Sequence, residues 1–161
     1  MGLDQYLSAK KYVSKFDYSD MQNRIITKEY TDLIPMDTPD ISKMGGFAGI
    51  TVSYPVGYWR KANAIHNFFV HNVGDDIDNC QEMWVDRETI VDLRSRCDSV
   101  LNADNMEEMA KEVGLETADG FFFGNTEYGD WYKDDLKLTV DICNKALDLP
   151  NEYDLHYQAS W

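Results

Sequence analysis

Cysteine is scarce in this chain of 161 residues, which contains only Cys80, Cys97 and Cys143. No two of them form a Cys-x-x-Cys pair, and none lies at zinc-finger spacing from a histidine, which argues against a structural zinc site. Their odd number and wide separation predict free thiols in a reducing compartment. No apolar run approaches roughly 18 residues, so the sequence also predicts no membrane-spanning helix.

Basic residues are few as well. The chain has 15 lysines and arginines against 29 aspartates and glutamates, a net charge of -14. Proteins bind nucleic acid and anionic membranes by neutralising phosphates with lysine and arginine, so this composition argues against both as direct partners. An acidic surface can instead dock on a basic partner protein, in place of nucleic acid. The simpler interpretation is that the charge only keeps the protein soluble.

The usual catalytic and phosphate-binding motifs are missing. The sequence contains no Walker loop, nucleophile elbow or His-Glu-x-x-His motif. The run Asp75-Asp76-Ile77-Asp78 differs from a calcium loop because the central glycine is absent and Cys80 occupies a ligand position. The sequence therefore predicts no metal and no cofactor, and it identifies no catalytic residue.

Hydrophobic residues make up 43% of the chain and aromatic residues 13%, enough for one core and a single domain over residues 1–161. Within it, the polar segment 14–46 reads as an insertion or a long loop. Strand patterns are predicted at residues 3–13, near 24–30, at 47–54 with an end at Pro55 and a turn at Gly57, at 83–85, at 120–124 and, as an edge strand, at 153–161.

Three longer segments have helical periodicity. They cover about residues 60–73, a helix capped by Asp86 that continues to Leu101, and a helix that begins at Asn125 or Thr126 and ends near Leu147. A shorter helix is predicted at residues 105–113. Strands and helices do not alternate strictly, so the predicted fold class is α+β, with a small, mostly antiparallel sheet packed against three main helices.

The first polar block, Gly57–Val70, concentrates hydrogen-bond donors in an acidic chain. Arg60 and Lys61 at the predicted start of a helix, beside its free backbone amides, would form an anion site. Trp59 or Tyr58 could stack on a planar ring, and Asn63 and Asn67 could bond base edges or sugar hydroxyls. The simpler interpretation is that the two cations pair with surplus acids.

The second polar block, Phe123–Asp135, lies at a predicted junction between a strand and a helix. Such a junction exposes Asn125, Thr126 and Glu127 at the end of a sheet, where ligands often bind. If this block faces the first one, the two would suit an anionic, nucleotide-like ligand. The alternative is an ordinary helix start with its aromatic side chains packed on the core.

His66 allows an enzymatic hypothesis. With Glu127 or Asp130 as its carboxylate partner, it could serve as the general base of a small hydrolase or transferase. Its position beside the apolar arc of its helix favours instead a half-buried histidine with satisfied hydrogen bonds. We therefore expect a non-catalytic protein rather than an enzyme, and the sequence leaves its oligomeric state open.

Three stretches together resemble a family of small uncharacterised proteins encoded by tailed bacteriophages and prophages: Met1–Leu7, Gly57–Val70 and Gly120–Leu136. Segment 14–46 departs from that pattern. The resemblance implies a phage accessory protein in the host cytoplasm, with a role against host defences as one expectation. It implies no established activity, so no catalytic residue carries over. The leading hypothesis is capture of an anionic nucleotide-like ligand, and the alternative is an acidic mimic of nucleic acid that inhibits a basic host protein.

Overall fold

A computed structural model describes residues 2–20, 25–33, 49–120 and 124–161. Its strands are β1 (Asp4–Ser14), β2 (Gly49–Arg60), β3 (Met83–Val85) and β4 (Asp154–Ser160). Its helices are α1 (Lys28–Leu33), α2 (Asn63–Asn72), α3 (Arg87–Leu101), α4 (Met106–Glu112) and α5 (Asp130–Asp148), with a short 3-10 turn at Tyr18–Asp20. The predicted α+β class is confirmed, since the strands form a four-stranded antiparallel sheet in the order β2-β1-β4-β3.

The chain divides into two units, where the sequence predicts one domain. The larger unit comprises residues 1–9 and 54–161, and the smaller comprises residues 10–53. The smaller unit contains the segment 14–46, of which residues 21–24 and 34–46 lie outside the described residues.

In the larger unit, helices α3 and α5 pack on each other, and α5 also packs on β2. The inward face of α3 follows the predicted spacing, with Ile90, Leu93, Cys97 and Val100 all buried. As predicted, the Asp86 side chain caps this helix by accepting a hydrogen bond from the Thr89 amide at 2.6 Å. The next residue, Arg87, donates to the carbonyl oxygens of Leu149 at 2.9 Å and Pro150 at 2.8 Å, which ties the start of α3 to the end of α5.

The smaller unit is built around a bridge between Phe16 and Ile26 and the helix α1. The short strand predicted near residues 24–30 is reduced, in its described part, to the bridge at Ile26, because α1 begins at Lys28. The cause is local: the Thr27 hydroxyl accepts a hydrogen bond from the Tyr30 amide at 3.3 Å and so caps the helix.

Two residues expected to break structure lie inside β2. Pro55 was predicted to end the strand, but β2 continues to Arg60. A proline is tolerated there because β2 is an edge strand, where an amide can be missing from the ladder. Gly57 was predicted to turn the chain. It instead allows α5 to approach, since a Cβ at this position would lie 2.4 Å from Cγ2 of Ile142.

The place of β4 in the sheet and the start of α5 also differ from the predictions. The tail is a strand, as expected, but β4 lies between β1 and β3 and is not an edge strand. Helix α5 begins at Asp130 with Gly129 at its N-cap, so neither Asn125 nor Thr126 caps it. The strand predicted at residues 120–124 falls largely on residues 121–123, outside the described part of the chain.

Candidate functional site

The junction between β2 and α2 has an unusual backbone. Lys61 adopts a φ of 61°, a left-handed conformation that is uncommon for a residue other than glycine. Two hydrogen bonds hold it: the Lys61 amide donates to the Leu3 carbonyl at 2.7 Å, and its carbonyl accepts from the Asn63 amide at 2.9 Å. Because such backbone outliers persist only where the surroundings enforce them, and cluster at functional sites, the junction is a candidate site.

This junction also explains why the predicted helix at residues 60–73 begins later. Helix α2 starts at Asn63, with Ala62 at the N-cap, no side-chain capping hydrogen bond and no acidic residue in its first turn. The positive end of the helix dipole is therefore not compensated by the helix's own side chains. In a chain with a net charge of -14, this is a locally electropositive point.

The second polar block closes over this junction. The Asn63 side chain donates to the Asn125 carbonyl at 3.0 Å and accepts from the Ala118 amide at 3.1 Å. One side-chain amide therefore holds both Ala118 and Asn125 against the start of α2. Gly124 lies directly against Lys61, since a Cβ added to it would be 3.1 Å from the Lys61 Cβ. Its φ of 89° also favours glycine.

A cavity of about 480 Å³ lies between these elements. One wall comes from the β2–α2 junction, another from the loop that follows α4, and the third from the first turns of α5. The lining residues are Arg60, Lys61, Ala62, Asn63, Ala64, Ile65, Thr117, Gly124, Asn125, Glu127, Trp131, Tyr132, Asp135 and Leu136. The two polar blocks singled out in the sequence thus share one cavity.

The cations of the cavity differ in their surroundings. The Arg60 guanidinium lies 4.0 Å from a carboxylate oxygen of Asp4, which partly neutralises it. Among the residues that the structure describes, Lys61 forms no ion pair. Lys61, next to the uncapped start of α2, is therefore the group best placed to attract an anion.

The carboxylates belong to the opposite walls. Glu127 accepts a hydrogen bond from the Asn125 side chain at 3.3 Å. Asp135 on α5 is half-buried, and burial, assisted by the nearby Asp134 charge, raises its pKa from the usual 3.8 to about 6. Charge in the cavity is therefore divided, positive on the β2–α2 side and negative on the α5 side.

Replacing Asp135 with asparagine is expected to raise the free energy of unfolding at pH 7 by about 1 kcal/mol. The full pKa shift would correspond to a larger increase in the free energy of unfolding. The side chain is partly exposed, however, and solvent screening reduces the increase. Because the pKa is 3.8 in the unfolded chain and about 6 in the folded protein, the destabilisation builds up as the pH rises from about 4 to 6 and is complete above that. The difference between variant and wild type should therefore shrink as the pH falls from 6 towards 4.

Thermal denaturation at several pH values measures this, with Asp141→Asn, an exposed aspartate of the same helix, as the control. Equal stability of Asp135→Asn and wild type at pH 7 would contradict the assigned burial.

Aromatic side chains form part of the α5 wall. Trp131 is 81% exposed, an unusual state for an indole, and it lines the cavity. Tyr132 is buried, and its hydroxyl donates to the Leu115 carbonyl at 2.9 Å, which fixes the ring in the wall. An exposed indole at a cavity can stack on a planar ligand.

The structure brings together five of the nine residues that the sequence predicted for the site: Arg60, Lys61, Asn63, Asn125 and Glu127. Asn67 and Thr126 do not line this cavity. The Thr126 carbonyl instead accepts from the Thr117 hydroxyl at 2.9 Å and helps to close the loop.

Trp59, predicted as the stacking surface, is a core residue. Only 1% of it is exposed, and its indole N–H donates to the Thr139 hydroxyl at 2.9 Å. It cannot stack on a ligand in the cavity, because β2 continues past it and turns its side chain towards α5. Trp131 is the exposed indole of this site, and the sequence offered one signal for it: Trp131 and Asp135 are four residues apart and share a face of α5.

His66 is also part of the core, with only 2% of it exposed. Its Nδ1 lies 2.8 Å from the Tyr157 hydroxyl and its Nε2 lies 3.1 Å from a carboxylate oxygen of Asp78. Its carboxylate partner is thus Asp78, neither Glu127 nor Asp130. A buried imidazole with both nitrogens engaged is poorly suited to take a proton from a substrate, which argues against the predicted hydrolase or transferase site.

Two further hydrogen bonds extend this network into β1. The Gln5 amide nitrogen donates to the Ala62 carbonyl at 3.1 Å, and the Gln5 side-chain oxygen accepts from the Tyr157 hydroxyl at 3.0 Å. The Tyr157 hydroxyl therefore links His66 to Gln5 inside the core.

Within the described ranges, no group of three or more histidine, cysteine, aspartate or glutamate side chains could hold a metal ion. None of the helices in these ranges is both long and apolar enough to span a membrane. Comparison of the chain with protein-family models, curated proteins and solved structures finds no match.

Proposed function

We propose that this protein binds a small anionic ligand with a planar ring, of the nucleotide type, without catalysing a reaction on it. The observation that carries the proposal is the shared cavity: Lys61, the uncapped start of α2 and the exposed indole of Trp131 all face a volume of about 480 Å³. That volume lies within the range of about 300–1,000 Å³ that is usual for small-molecule sites.

The distribution of charge supports a ligand with two unlike ends. A phosphate fits the β2–α2 side, where the Lys61 ammonium and the backbone amides of the first turn of α2 that follow Asn63 can donate to its oxygens. A sugar or base fits the α5 side, where Trp131 can stack and carboxylates can accept hydrogen bonds. An apolar ligand would leave Lys61 without an anion to bind, and an inorganic anion would make no use of Trp131.

The biological setting depends on the resemblance to small proteins of tailed phages and prophages. On that basis we place the binding activity in the host cytoplasm, where capture of a nucleotide signal would counter a host defence. The acidic-mimic hypothesis stays a prediction. It differs from ligand capture because binding of a basic host protein would weaken strongly with salt and would not need Lys61.

Calorimetric titration with a panel of linear and cyclic nucleotides tests the proposal. We expect at least one of them to bind, and Lys61→Asn to weaken its binding about tenfold, through loss of one charge-assisted contact to phosphate. Asparagine is chosen because it tolerates a positive φ. Trp131→Ala should weaken binding by a similar or larger factor, since stacking of one base contributes about 1–3 kcal/mol.

Matched controls separate the site from general surface effects. Lys137→Asn removes an exposed lysine of α5 that pairs with Asp134 at 3.1 Å, and Trp84→Ala removes an indole of β3 that is 57% exposed. Neither residue lines the cavity, so both variants should bind as the wild type does. Absence of binding across the whole panel, or equal losses in Lys61→Asn and Lys137→Asn, would refute the proposal.

A further inference from the structure

We infer that Asp135 selects ligands that carry a hydrogen-bond donor, a hydroxyl or an amine, on the ring-bearing half that stacks on Trp131. This inference rests on the proposed function and specifies which members of the ligand class the site accepts. It is carried by the position of Asp135 in the cavity and by the finding that no described residue donates a hydrogen bond to its carboxylate or pairs with it.

The carboxylate of Asp135 is an acceptor that the described part of the protein leaves to solvent. Its backbone carbonyl accepts from the Thr139 hydroxyl at 2.7 Å, but among the described residues nothing donates a hydrogen bond to its carboxylate or pairs with it. A ligand that displaces water from this half-buried carboxylate would have to supply a donor in its place. Glu127, the other carboxylate of the cavity, already accepts from the Asn125 side chain. Asp135 is therefore the carboxylate whose donor a ligand would supply.

The position of Asp135 indicates which part of the ligand it meets. Trp131 and Asp135 lie one helical turn apart on the same face of α5, and both line the cavity. A ring stacked on Trp131 therefore presents its edge or its attached sugar near Asp135. An ionised carboxylate only accepts hydrogen bonds, and a fully ionised phosphate has none to donate. The ligand group at Asp135 must accordingly be a hydroxyl or an amine.

In a nucleotide this donor can come from two places, the ribose hydroxyls or an exocyclic amine of the base. Four probes distinguish them: adenosine 5′-monophosphate, its 2′,3′-dideoxy analogue, purine riboside 5′-monophosphate, which lacks the amine, and the dideoxy analogue of the last. Each is titrated calorimetrically into wild type and into Asp135→Ala, an exchange that helix α5 should tolerate because alanine is a good helix former.

We expect wild type to lose about tenfold in affinity when one of the two donors is deleted, as for a hydrogen bond to a charged group. The same deletion should have little effect in Asp135→Ala, which should bind all four probes about as weakly as wild type binds the probe without donors. Asp135→Asn, which keeps an acceptor oxygen without the charge, should fall between the two. This ordering also separates ligand recognition from a general loss of folding.

Two outcomes would overturn the inference and leave the proposed function standing: equal affinity of wild type for all four probes, or a loss on donor deletion that persists unchanged in Asp135→Ala. If no nucleotide binds wild type at all, the proposed function itself fails, and the selectivity of Asp135 fails with it.

Discussion

Replacing Trp59 with alanine is expected to lower the free energy of unfolding by about 3–5 kcal/mol. The indole is fully buried, with its ring centroid 6.2 Å from that of Phe69 and 6.4 Å from that of Tyr157. The substitution leaves a large cavity in the core and removes the donor that the buried Thr139 hydroxyl accepts at 2.9 Å. Urea denaturation followed by circular dichroism measures the loss.

Trp131→Ala is the matched comparison, because Trp131 is 81% exposed. Truncation at an exposed position normally changes stability by less than about 0.5 kcal/mol. The two tryptophans should therefore separate the two roles: Trp59→Ala lowers stability, and Trp131→Ala lowers ligand affinity with little effect on stability. Similar stabilities of the two variants would show that Trp59 is not the core residue that the structure makes it.

Local signals in the sequence were sufficient for much of the fold. The spacing of Ile90, Leu93, Cys97 and Val100 placed α3 correctly, because apolar periodicity and a capping aspartate are both local properties. The short strand β3 was also predicted at the residues where it is observed, Met83–Val85. Pro55 and Gly57 misled the prediction of β2, because their usual effect as breakers is overridden by the edge position of the strand and by the close approach of α5.

About half of the predicted site residues do line the cavity, because they too were found from a local signal in the sequence. Arg60, Lys61, Asn125 and Glu127 stand out as dense polar chemistry in an acidic chain, and the structure places them around one cavity. Which tryptophan serves the site depends instead on the tertiary fold. The sequence interpretation assigned stacking to Trp59 and considered the aromatic side chains of the second polar block only as core residues, whereas the structure buries Trp59 and exposes Trp131.

The network at His66 could not be predicted from spacing, because its members come from three secondary-structure elements and one loop. Gln5 lies on β1, His66 on α2 and Tyr157 on β4, while Asp78 lies between α2 and β3. Only the tertiary fold brings them within hydrogen-bond distance. This is also why the sequence analysis proposed Glu127 or Asp130 as the partner of His66. Both lie in the second polar block, whereas Asp78 was considered only as part of the run that differs from a calcium loop.

Tyr157→Phe is expected to lower the free energy of unfolding by about 2–4 kcal/mol. The substitution keeps the ring, which stacks on Phe69 with centroids 4.0 Å apart, and removes only the hydroxyl between His66 and Gln5. Both contacts are buried, and each buried polar group deprived of a partner costs about 1–3 kcal/mol. Urea denaturation at pH 7 measures the effect.

Tyr58→Phe is the control, because this hydroxyl also bonds a polar side chain, Asp4, but belongs to a side chain that is 45% exposed. Its removal should cost less than about 0.5 kcal/mol. A double-mutant cycle with Gln5→Met then isolates the network: Gln5→Met should cost less in the Tyr157→Phe background than in wild type, with a coupling of about 0.5–3 kcal/mol. Additive losses would mean that the Tyr157 hydroxyl and the Gln5 side chain are not coupled, and would contradict the hydrogen bond between them.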